Sequence, residues 1–109
     1  MTQLDIIRMI GDRLTEIDIK VGSLMPNDPD QIRLQDLRRT LDSRQLLLSR
    51  QIFDSNTKKF QAAAKELAAV NEKIQGTIDE IDNIQRVLRN VTRFLDAVTS
   101  FLVTIGAFA

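Results

Sequence analysis

The feature that most constrains this chain is an apolar heptad repeat that continues without a proline from Leu46 to Leu102. Counted in sevens, every position is apolar: Leu46, Phe53, Phe60, Leu67, Ile74, Ile81, Leu88, Leu95 and Leu102. A companion position three residues further on is weakly apolar at first and mostly apolar from Val70 to Ile105. Alternating spacings of three and four place side chains on one helical face, as in coiled coils and helical bundles. The repeat therefore predicts an all-α chain.

An amphipathic helix is predicted ahead of the repeat, over residues 2–22. Its apolar residues also alternate spacings of three and four: Ile7, Ile10, Leu14, Ile17 and Val21. Thr2 and Gly22 are typical of a helix start and a helix end. Both prolines of the chain lie close to the loop over residues 22–28, and Pro29 suits the first turn of the next helix.

The proline-free region is too long for one helix of a globular domain, so we predict a turn within it. We place that turn at residues 76–77, where a glycine precedes a threonine. This divides the region into helices over residues 29–75 and 78–106. The alternative break lies at residues 54–57, in the turn-favouring sequence DSNT.

Side-chain pairing favours the turn at residues 76–77. In an antiparallel hairpin that pivots at Thr77, Phe60 comes level with Phe94. The same pivot brings Phe53 level with Phe101, so large side chains meet. The predicted fold is a single helical domain over residues 1–109, with elongated antiparallel hairpins or a bundle of three or four helices in heptad packing.

Composition argues against several classes of function. The chain has no histidine and no cysteine, which removes the commonest general base and the commonest ligands of transition metals. Lysine plus arginine number 15 and aspartate plus glutamate number 15, so the basic excess typical of nucleic-acid binders is missing. No phosphate loop or nucleophile motif is present. We therefore expect no enzymatic activity, catalytic residue, cofactor, metal or small-molecule substrate, and no nucleic-acid partner.

The leading functional hypothesis is a non-enzymatic helical interaction or assembly module. A long apolar stripe on so short a chain favours burial against a homo-oligomeric partner, or against another helical protein. The residues expected in that interface, or in the core of the chain itself, are Phe53, Phe60, Leu88, Phe94, Leu95, Phe101 and Leu102. A cytoplasmic location is expected, because the N-terminal stretch lacks the pattern of a secretory signal.

The alternative hypothesis is a membrane-associated helical protein that inserts or docks its apolar C-terminal arm. No residue after Asp96 is charged. The polar side of this arm carries one large apolar residue, Val103. Arg86, Arg89 and Arg93 would contact anions or lipid headgroups, because their spacing places them on one helical face. Such a protein would be peripheral to the membrane, since the arm is shorter than a spanning helix.

Overall fold

The structure, a computed structural model that describes residues 1–108, consists of four α-helices and one short 3₁₀ helix. The α-helices are α1 (Gln3–Ser23), α2 (Pro29–Ser49), α3 (Lys58–Lys73) and α4 (Ile84–Ile105), and the 3₁₀ helix is Ile78–Glu80. The described residues contain no strand. The predicted fold class, an all-α helical bundle, is therefore confirmed.

The first two helices begin at side-chain caps that the sequence supplies. At α1, the backbone N–H of Asp5 donates to the Thr2 hydroxyl at 3.2 Å, and the N–H of Thr2 donates to the Asp5 carboxylate at 2.8 Å. At α2, the Asp28 carboxylate accepts from the N–H of Asp30 at 2.8 Å. Asp28 is the N-cap, and Pro29 is the first residue of the helix. These bonds satisfy donors that a helix start leaves unpaired.

The continuous helix predicted over residues 29–75 is wrong. The chain leaves the helix after Ser49 and resumes it at Lys58. Two local hydrogen bonds explain the break: the Asp54 carboxylate accepts from the N–H of Asn56 at 2.9 Å, and the Thr57 hydroxyl accepts from the N–H of Phe60 at 3.1 Å. The first forms a turn and the second caps the next helix. The alternative break at 54–57 is thus present together with a second break near Gly76.

That second break is a connector, not the tight turn predicted at residues 76–77. It extends over residues 74–83, with Gly76 in the left-handed region at φ 76° and the 3₁₀ helix in its middle. Thr77 directly precedes the 3₁₀ helix, but its hydroxyl makes no capping bond. Ile74, Ile78 and Ile81 are nevertheless buried, so the connector keeps its apolar side chains turned inward.

The longer connector shifts the register of the α3–α4 hairpin by one heptad. The Phe60 ring packs edge-on against the ring of Phe101, with centroids 5.4 Å apart and an interplanar angle of 83°. The predicted pairing of Phe60 with Phe94 is therefore wrong. Residues between the helices move the pivot of a hairpin, so each added turn of connector brings a later turn of α4 level with Phe60.

The two hairpins, α1–α2 and α3–α4, lie side by side, and the second helix of one hairpin runs parallel to the second helix of the other. The main helix contacts are α1 with α2, α2 with α4, and α3 with α4. The α2–α4 pair is parallel, since Arg44 contacts Thr99 and Gln51 contacts Ala107, at nearly constant sequence separation. A residue of α2 is thus level with the residue of α4 about 55 positions later.

Candidate interaction surface on the face formed by α2 and α4

The predicted interface residues lie in the core of the chain itself. All but one are buried against neighbouring helices: Phe60, Leu88, Phe94, Leu95, Phe101 and Leu102. Phe53, in the loop after α2, is half-buried. Apart from Leu46, which is 48% exposed, and the half-buried Phe53, the apolar stripe that suggested a missing partner is therefore buried within the chain itself.

The C-terminal arm is likewise part of the bundle. Phe94 and Phe101, which the membrane hypothesis would insert into lipid, are 1% and 2% exposed. Within residues 1–108, none of the helices combines the length and the apolar character needed to cross a bilayer.

One end of the α2–α4 face carries large apolar side chains that no part of the described chain covers. Ile52 is 99% exposed, Val103 is 62% exposed and Phe108 is 45% exposed. The half-buried Leu47 lies level with the last turn of α4 by the register given above. We name these four residues, Leu47, Ile52, Val103 and Phe108, the apolar patch.

Ile52 is exposed on a loop that is held in place on both sides. The Gln3 side-chain amide nitrogen donates to the carbonyl of Gln51 at 2.6 Å, and its amide oxygen accepts from the N–H of Phe53 at 3.0 Å. A single side chain of α1 therefore fixes the residues before and after Ile52. The exposure of Ile52 is a property of a pinned loop, which lowers the entropic cost of presenting it to a partner.

The C-terminal tail completes the patch by folding back over the end of α2. Gly106 adopts φ 81° and ends α4, a conformation that glycine adopts without steric cost. Ala107 is then buried, and its carbonyl accepts from the Gln51 side chain at 2.9 Å. The Arg44 guanidinium carbon lies 5.2 Å from the centroid of the Phe108 ring, which is a cation–π contact.

The opposite end of the same face is basic. Arg33 of α2 and Arg89 and Arg93 of α4 line an open groove between the two helices, with a volume of about 480 Å³. Its remaining lining residues are Asp30, Gln85, Leu88 and Thr92. We name this feature the basic groove. The structure thus brings two of the three predicted anion-contacting arginines to one groove, whereas Arg86 is exposed on α4 outside that lining.

A buried arginine that the sequence analysis did not identify joins α1 to the other hairpin. Arg13 is 8% exposed and donates to the Asn71 side chain at 2.9 Å, the Asn71 carbonyl at 3.2 Å and the Gly76 carbonyl at 3.1 Å. It also pairs with Glu16 at 2.7 Å, and Glu16 accepts from the N–H of Ile78 at 2.9 Å. We name this network the Arg13 latch. Its signal in the sequence was a charged residue beside Leu14 on the apolar side of the first helix.

Comparisons with protein-family models, with curated proteins and with solved structures find no match to this chain. Within residues 1–108 there is also no cluster of three or more side chains suited to hold a metal ion. The α2–α4 face, with its apolar patch at one end and its basic groove at the other, is therefore the candidate interaction surface of this chain.

Proposed function

We propose that this chain is a non-enzymatic helical interaction module that self-associates into a homodimer through the apolar patch. The observation that supports this proposal is the 99% exposure of Ile52 on a pinned loop, at the same end of the bundle as the exposed Val103 and Phe108. Several large apolar side chains exposed at one end of a small protein are typical of an interaction site. The heptad stripe lies mostly in the core and has no part in this mechanism.

A second copy of the chain is the partner that the charges favour. The net charge is zero, so no long-range repulsion opposes self-association. In a two-fold dimer each patch meets its own copy. If the axis passes through the patch, the basic groove of each protomer points away from the interface, because Arg89 and Val103 are about 20 Å apart along α4.

The expected affinity is low, and it can be derived from the exposed side chains. Complete burial of Ile52 contributes about 2 kcal/mol, and the exposed parts of Val103 and Phe108 contribute about 1 kcal/mol each. Two-fold symmetry doubles these contributions to about 8 kcal/mol. Association costs at least about 4 kcal/mol in lost rigid-body freedom. The remaining binding free energy of about 4 kcal/mol corresponds to a dissociation constant of about 1 mM. Polar contacts around the patch would add to the binding free energy and lower this constant.

Sedimentation equilibrium from about 10 µM to about 2 mM tests this proposal at concentrations around the expected constant. The wild-type chain should show increasing dimer over that range, and Ile52→Asp should stay monomeric. Ile19→Asp is the matched control, because Ile19 is an equally apolar residue of α1 that is 55% exposed and lies outside the patch. A monomeric wild type at the highest concentration, or equal weakening by both substitutions, would contradict the proposal.

The same protein samples distinguish self-association from docking of the patch on a membrane. Flotation with anionic vesicles should leave the wild-type chain unbound if the patch is used for self-association alone. Vesicle binding that Ile52→Asp abolishes, without a dimer in solution, would instead favour docking of the patch on a lipid surface.

A further inference from the structure

We propose that the basic groove binds a multivalent phosphate anion. This inference is independent of self-association, since it concerns the other end of the α2–α4 face. It assigns a ligand class to Arg33, Arg89 and Arg93, which the bundle brings together from two helices.

The register of the two parallel helices places the three arginines along the same stretch of the groove. Asp30 contacts Gln85 and Arg44 contacts Thr99, both at a separation of 55 positions. Arg33 is therefore level with Leu88 and directly across the groove from Arg89. Arg93 follows one turn later on the same side of α4 as Arg89, about 6 Å further along the helix.

The charge of the groove is not neutralised within the described chain. Among residues 1–108, the arginines that form salt bridges are Arg13, Arg38 and Arg39. The three arginines of the groove form none. Asp30 is the carboxylate of the lining, and its Oδ1 lies 3.5 Å from the side-chain nitrogen of Gln85. Three positive charges thus face one negative charge, an excess that a bound anion would offset.

Phosphate chemistry fits this arrangement better than a single carboxylate does. A guanidinium group donates two parallel hydrogen bonds to adjacent oxygens of a phosphate, and three such groups match several charged oxygens at once. The volume of about 480 Å³ lies within the range of small-molecule sites and exceeds the needs of one small anion. A chain of phosphates, or an organic group carrying more than one phosphate, is therefore the ligand class that we infer.

Isothermal titration calorimetry with inorganic triphosphate at about 0.15 M ionic strength, where the Debye length is about 8 Å, tests the site with a free anion. The wild-type chain should bind it, and Arg89→Gln should weaken binding about tenfold through loss of one charge-assisted contact. Arg33→Gln should have a similar effect from the other helix. Arg86→Gln is the matched control, because it makes the same change in charge on α4 outside the groove. It should change the affinity less than about twofold.

A second arm uses phosphatidylcholine vesicles with and without a phosphoinositide bisphosphate. Binding of free triphosphate with the stated arginine dependence supports a soluble ligand. Binding of the phosphoinositide vesicles alone, with the same dependence on Arg33 and Arg89, supports a lipid headgroup as the source of the phosphates. Absence of binding in both arms, or equal weakening by Arg86→Gln and Arg89→Gln, overturns the proposal. Circular dichroism of each variant checks that the fold is retained.

Discussion

Removal of the Arg13 side chain should destabilise the fold more than any other single change to a charged residue that the structure describes. The guanidinium donates to three backbone or amide oxygens of the second hairpin and pairs with Glu16. In Arg13→Ala the Asn71 amide oxygen and the Gly76 carbonyl lose their donor, at a position where Arg13 itself is 8% exposed.

The expected loss follows from the groups that are left behind. The Asn71 amide oxygen and the Gly76 carbonyl each cost about 1 kcal/mol when left without a donor. The Asn71 carbonyl keeps the backbone N–H of Ile74 as a donor at 3.2 Å, so its loss is small. We use the lower part of the known range because an open groove of about 400 Å³ beside Arg13 admits water. The Glu16 carboxylate keeps its bond from Ile78 but loses its positive partner, which adds about 1 kcal/mol. The total is about 3 kcal/mol.

Urea denaturation monitored by circular dichroism at 222 nm measures this loss, since the chain has no tryptophan or tyrosine to report by fluorescence. With a urea dependence of about 1.5 kcal/mol per molar, the midpoint should fall by about 2 M. Arg38→Ala is the control, because the Arg38–Asp18 pair has a similar 2.9 Å distance but side chains that are 34% and 56% exposed. It should cost less than about 1 kcal/mol.

Two results would refute the reasoning about the Arg13 latch. One is a free energy of unfolding for Arg13→Ala within about 1 kcal/mol of the wild-type value. The other is a loss no greater than that of Arg38→Ala, which would mean that burial does not distinguish the two arginines. Arg13→Lys should fall between Arg13→Ala and the wild type, because an ammonium group keeps the charge but cannot span the same acceptors.

Two further predictions concern single side chains. Thr77→Val should raise the free energy of unfolding by up to about 1 kcal/mol in the same urea assay. The buried Thr77 hydroxyl has no hydrogen-bond partner in the described chain, and valine has a similar shape. A loss of stability in Thr77→Val would show that the hydroxyl does have a hydrogen-bond partner. The hydrogen bond from the Thr2 backbone N–H, followed by that involving the Thr2 hydroxyl, holds the pKa of Asp5 below its ordinary value of 3.8. The ionised Asp5 therefore stabilises the folded state above that pH, and this contribution is lost as the pH falls through the lowered pKa. Asp5→Asn should show a shallower decrease in stability below about pH 4 than the wild type, and an equal decrease in both proteins would contradict this assignment.

The heptad spacing predicted which side chains are buried better than it predicted where helices end. Ile74 and Ile81 keep their inward positions although the backbone around them is not regular helix. Buried side chains seven residues apart can be supplied by a regular helix, or by an irregular connector that passes over the same length of core. The repeat therefore indicated one long helix where the chain breaks, and the local polar sequence at 54–57 was the more specific signal.

The register and the exposed surface could not be predicted from the same pattern. Pairing of Phe60 with Phe101 depends on the length of the connector, which a spacing rule does not contain. Ile52 adjoins a heptad position, and its exposure depends on the two bonds made by a glutamine of α1. Val103 was visible as an apolar residue on the polar side of α4, whereas its proximity to Leu47 requires the parallel packing of α2 and α4.

The order in which the bundle assembles should follow from the long sequence separation of the Arg13 latch. Each hairpin forms from neighbouring helices, whereas Arg13 reaches residues 58 and 63 positions away. Contacts of such high separation carry a large closure entropy and tend to form after local ones. The latch should thus be absent from the folding transition state, so that its loss accelerates unfolding while the folding rate stays nearly unchanged. In kinetic terms, Arg13 would set how long the native state persists once formed.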